Sequence, residues 1–95
     1  MNVKLVRTTS GEDVICEVLS ETDDSVTFSN AIVAVPAGNG QIGFAPWSPL
    51  LSKDVKELTI DKKFVMYIAD TQDQIVTEYQ SMFSPIIAPS KKLAL

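Results

Sequence analysis

Turn signals divide the chain into short apolar stretches rich in β-branched residues. Their spacing limits what it can fold into. Ser10-Gly11-Glu12 is a turn in which glycine takes positive φ without steric cost. Glu21-Thr22-Asp23-Asp24 is a polar turn, and Pro36 to Gly40 is a loop dense in breakers. Before the first turn, Val3 and Leu5 alternate with Asn2, Lys4 and Thr8, which is the period of a half-buried strand. Asp13 to Ser20 carries Val14, Cys16 and Val18 on one face and Ile15 and Leu19 on the other. A strand apolar on both faces is covered on both sides. Ser25 to Val35 reads as a long β segment through Val26, Phe28, Ile32, Val33 and Val35. Gln41 to Pro49 is a further strand whose end is demoted by Pro46 and Pro49. Val55 to Ile60 and Phe64 to Ala69 are short strands around Asp61-Lys62-Lys63. Strands are therefore expected across about residues 2–69.

The period then changes. Ile75, Val76, Tyr79, Met82 and Phe83 form one apolar stripe at helical spacing. Thr71 with Gln74 predicts a capping box, and Asp73 suits the positive end of the helix dipole. Pro85 disfavours helical geometry at Ser84. A helix is expected over about 71–83. Val76 and Thr77 are β-branched, so packing must supply what propensity does not. The tail, 84–95, carries Ile86, Ile87, Leu93 and Leu95, and such a segment is expected to dock on its own domain or a neighbour's.

The 95 residues leave room for one core, in a single domain spanning 1–95. A domain of this size buries only about 60–65% of its unfolded surface, and oligomerisation is a common way to recover stability. The 45% hydrophobic content suggests that some apolar surface meets a partner subunit. Eight basic residues stand against twelve acidic ones, for a net charge of −4, so the broad positive field typical of nucleic-acid binders is missing. The sequence has no histidine and one cysteine. That removes Cys/His zinc sites and His-dependent nucleophilic catalysis. It also excludes an internal disulfide and suggests a reducing compartment. No apolar run reaches the ~18 residues of a membrane span, and Met1 to Arg7 lacks a signal-peptide pattern. The expectation is a cytoplasmic protein, not an enzyme, with no cofactor and no metal.

The first part of the chain resembles the Sm/LSm family, small strongly bent five-stranded barrels that assemble into rings. Gly11 matches the first glycine of the family's first motif, Val18 a hydrophobe, Asp23 the aspartate and Val26 the next hydrophobe. The likeness covers about residues 3–35. The string YQSMFSPIIAPSKKLAL is similar to the C-terminus of short Sm-like proteins of marine cyanophage origin. The resemblance implies a mostly β fold, a five-stranded Sm-like barrel, and a homo-oligomeric ring; the expected helix is C-terminal here, whereas the family usually places it before the strands. Several positions depart from the pattern. Cys16 replaces the second glycine, and Thr27 replaces the asparagine that contacts RNA bases in the family. Ile68-Ala69-Asp70 stands where a hydrophobe-Arg-Gly triplet would be, with an anion in place of a cation.

Two functions follow as expectations. One is a ring binding single-stranded RNA near Asp23, Thr27, Lys62 and Lys63. The other is a phage-derived assembly or protein-interaction module that keeps the ring and has lost RNA. The bland reading of Lys62-Lys63 and Lys91-Lys92 is solvated surface. Trp47 and Phe44 could stack on bases but more often serve core or interface. Asp23, Asp24, Asp70 and Asp73 suit turns and caps better than a Mg²⁺ site. Cys16, mid-strand, reads as a small buried hydrophobe.

Overall fold

A computed structural model of the protein describes residues 1–83. The expected tail, 84–95, lies outside the described residues. The elements in order are β1 (Val3–Thr8), β2 (Asp13–Glu21), β3 (Ser25–Pro36), β4 (Ile42–Pro46) and β5 (Leu58–Asp61). A 3₁₀ turn (Lys62–Phe64), β6 (Val65–Ala69) and α1 (Asp73–Phe83) follow. Among the described residues the fold is mostly β with one helix following the strands, as expected. The helix starts two residues later than expected, so Thr71 lies outside the capping position.

All pairings are antiparallel, in the order β4-β3-β2-β1-β6, with β5 also on β3. The resemblance implied five strands in a barrel. The described residues instead form six strands in a sheet that does not close. The reason lies in β3. Its first half, Ser25 to Phe28, pairs with β5, and its second half, Ile32 to Pro36, pairs with β4. Two short strands thus share one long partner, and residues 47–57 leave the sheet between them. At the other border β6 pairs, among the described residues, only with β1. A 3₁₀ turn, not a ladder, joins β5 to β6.

Three register shifts bend the sheet. In β3, Ile15 pairs with Ile32 and Glu17 with Ser29, so Asn30 and Ala31 both face Cys16. Asn30 adopts φ 51°, a left-handed conformation that asparagine tolerates better than most residues. In β2, Leu19 is the extra residue between Val18 and Ser20 and is 45% exposed, although alternation had placed it beside Ile15. In β6, Met66 is extra between Val65 and Tyr67. The bulge turns Val65 and Ile68 to the same side despite their odd spacing and leaves Met66 in solvent.

Both faces of β2 are covered. Val6, Val14, Cys16, Val18, Val26 and Phe28 form one buried cluster, with Val65 and Ile68 packed against it. Across the sheet, Val3, Ile15, Ile32 and Tyr79 form the second cluster, flanked by Ile75, Val76 and Phe83 of α1. Burying each large apolar side chain contributes about 1.5–3 kcal/mol. The helix therefore exists because its stripe meets the second face of the sheet. Met82, assigned to the same stripe, is 46% exposed.

Candidate functional site

Local chemistry gathers the four sequence-selected residues at one end of the sheet. Thr22 shapes the β2–β3 turn: its hydroxyl accepts from the backbone N–H of Asp24 (3.2 Å) and of Ser25 (3.0 Å). Asp23 is exposed at the tip of that turn. The Lys62 backbone N–H donates to the Asp24 carbonyl at 2.8 Å, which brings the β5–β6 turn alongside. Asp61 caps the 3₁₀ turn, its carboxylate accepting from the Lys63 N–H at 2.9 Å. Thr27 lies one strand away, its hydroxyl 2.7 Å from that of Thr59 on β5.

The electrostatics of this end are acidic. The Lys62 ammonium meets Glu21 at 2.9 Å. Lys63 is exposed, with its ammonium 5.2 Å from the centre of the Phe64 ring. Around these two cations stand Glu21, Asp23, Asp24 and Asp61. A phosphate entering here meets more carboxylates than free ammonium groups, which opposes the Coulombic and counterion terms that drive nucleic-acid binding. Thr27 is half-buried and its hydroxyl is already partnered by that of Thr59, which leaves it less capacity for a further hydrogen bond.

The remaining sequence candidates have structural roles. Trp47 packs on Phe28 with ring centroids 5.7 Å apart, and its indole N–H donates to Glu12 at 3.0 Å. Phe44 packs against the cluster beneath α1. Cys16 is fully buried, and burial pushes its thiol up to about 12. Tyr79 is also fully buried. Its hydroxyl donates to the carbonyls of Asn30 (2.9 Å) and Ser29 (3.2 Å), which fixes it on the β3 bulge. Burial, followed by the neighbouring Cys16, holds the phenol well above its ordinary range. Asp70 pairs with Lys4. Among the described residues, no group of three or more Cys, Asp or Glu lies close enough to share a metal ion. No described helix is long and apolar enough to cross a membrane.

Sequence reasoning missed the border formed by β6. Phe64 is 52% exposed, Met66 61% and Tyr67 48%. Together they place a row of large apolar groups beside a strand edge that has no partner among the described residues. The signal was present: from Phe64 to Ala69 the sequence reads FVMYIA, with no charge and no proline. Those are the residues with which natural edge strands discourage further pairing. The opposite border ends on Ile42, 60% exposed, at the start of β4.

No protein-family model matches this sequence, and no curated protein matches it.

Proposed function

We propose that this protein is a ring-forming assembly module whose subunits join edge to edge, β6 of one against the β4–β5 border of the next. The observation that carries this reading is the β6 border: without a partner strand among the described residues, uncharged and lined by Phe64, Met66 and Tyr67. Pairing with another strand would satisfy its outer backbone groups and bury the apolar row. The two borders differ, so the contact is heterologous. Repeated copies then close into a ring when the rotation permits it. The Sm/LSm resemblance of residues 3–35 favours closure. The acidic end around Lys62 favours a module that acts on proteins and has no nucleic-acid role.

Light scattering at micromolar protomer concentration tests the assembly, and a clean monomer would refute it. Met66→Lys places a charge on the border, so it should dissociate the assembly while leaving the far-UV circular dichroism unchanged.

A second reading, a ring for single-stranded RNA, draws on one observation. Asp23, Thr27, Lys62 and Lys63 share one end of the sheet, and a ring would repeat Lys63 around its axis. That reading predicts binding of oligo-U or oligo-A that weakens steeply between two salt concentrations and is lost in Lys62→Glu/Lys63→Glu. The assembly module predicts no binding even at low salt.

A further inference from the structure

Where β4 and β5 separate along β3, residues 47–57 leave a groove of about 190 Å³. That exceeds the roughly 150 Å³ of a cavity that admits benzene, so it has room for aliphatic side chains. Ala31 of β3 lines it, with Trp47, Leu51, Val55 and Leu58 from the excursion and the start of β5. Leu51 and Val55 are 39% and 42% exposed, a degree of exposure that an occupant would relieve.

The chain carries a fitting occupant next to the groove. Phe83, the last residue of α1, lines it as well. The sequence continues Ser84-Pro85-Ile86-Ile87-Ala88-Pro89, without a charge before Lys91. Pro85 and Pro89 favour an extended path. At ~3.3–3.6 Å per extended residue, Ile86 and Ile87 come within ~14 Å of Phe83.

We propose that Ile86 and Ile87 occupy this groove in their own chain, so that segment 84–89 straps the 47–57 excursion to β3. The same-chain choice rests on reach. A short tether supplies an effective concentration in the millimolar range, above that of a competing copy. The groove lies between β4 and β5, on the border that the assembly reading gives to the next subunit, so the test must separate a same-chain strap from an occupant supplied by a second copy.

Trp47 is the sole tryptophan and therefore the reporter. In the full chain, methyl-labelled isoleucines should show nuclear Overhauser effects from Ile86 and Ile87 to the Trp47 ring. A mixture of labelled and unlabelled chains should show that these arise within one chain. Ile86→Ser/Ile87→Ser should red-shift Trp47 emission and make it easier to quench with acrylamide, with the far-UV circular dichroism preserved. Contacts only between different chains would overturn the proposal by making a second copy the occupant. The absence of such contacts in the unmodified protein would overturn it regardless of how the variant folds. So would Trp47 emission that stays the same in a folded double variant.

Discussion

Tyr79→Phe removes one oxygen from the place where the helix meets the β3 bulge. The hydroxyl donates to the Asn30 carbonyl at 2.9 Å and to the Ser29 carbonyl at 3.2 Å, and the residue is wholly buried. Phenylalanine keeps the ring and its contact with Phe83, whose centroid is 4.7 Å away. The change therefore isolates the hydrogen bond. A typical intramolecular hydrogen bond contributes about 0.5–1.5 kcal/mol net, and a buried acceptor left without a donor costs about 1–3 kcal/mol. Water cannot easily replace the hydroxyl under α1, so the expected loss is about 1–2.5 kcal/mol. For a domain of this size each kcal/mol lowers Tm by roughly 4–8 °C, so the melting point should fall by about 4–20 °C. Urea unfolding at one fixed protomer concentration measures it, because the proposed assembly would make stability depend on concentration. The midpoint should drop with an unchanged slope. Tyr79→Ala should cost more, about 3–5 kcal/mol, through the added cavity. A Tyr79→Phe protein within about 0.5 kcal/mol of the parent, the usual range for surface changes, would refute the idea that the hydroxyl holds the bulge.

Other outcomes follow from the same geometry. Burial raises the Cys16 thiol from its ordinary 9.0 to about 12, so the unfolded chain releases a proton that the folded chain retains. Stability from this group is complete below pH 9 and declines as pH rises toward 12; Cys16→Ala should flatten that part of a stability-against-pH curve. The same burial should leave the thiol unreactive toward Ellman's reagent until the protein unfolds. Gly11 sits at φ 92° with open space around it, so Gly11→Ala should cost about 1–2 kcal/mol in denaturant midpoint, from backbone strain alone. Lys62→Met removes the ion pair with Glu21, in which both side chains are partly exposed, and should change stability by less than ~1 kcal/mol.

The alternation of Val14, Cys16 and Val18 against Ile15 was enough to show β2 as a strand with both faces covered. The Ile75 to Phe83 stripe was enough to predict a helix with one packed face, though not which strands it meets. What local pattern could not supply was the bulges. Leu19, Asn30 and Met66 each interrupt a strand without a glycine to mark the place, because the extra residue is dictated by the partner strand. The splitting of the β3 partner into β4 and β5 was hidden for the same reason: pairing across a long excursion leaves no local trace. At the candidate site, the turns and their capping groups were visible as Asp and Thr positions. The neutralisation of Lys62 by Glu21 was not visible, since it depends on two turns meeting in space. The β6 border was written in uncharged residues, but it is recognisable only once that strand is known to lie at an edge.

The pairing of β1 with β6 joins Leu5 to Ala69, nearly the two ends of the described chain. The β1–β2–β3 meander, in contrast, closes over short turns. Loop-closure entropy makes such distant pairs the slowest to form. On a ribosome, β1 would wait with one side unpaired until the C-terminal strand emerges. The β6 edge is thus among the last parts of the described fold to be built. A nascent chain cannot present that edge in register before its own meander is in place, so if copies join there as proposed, the order of folding would also time their association.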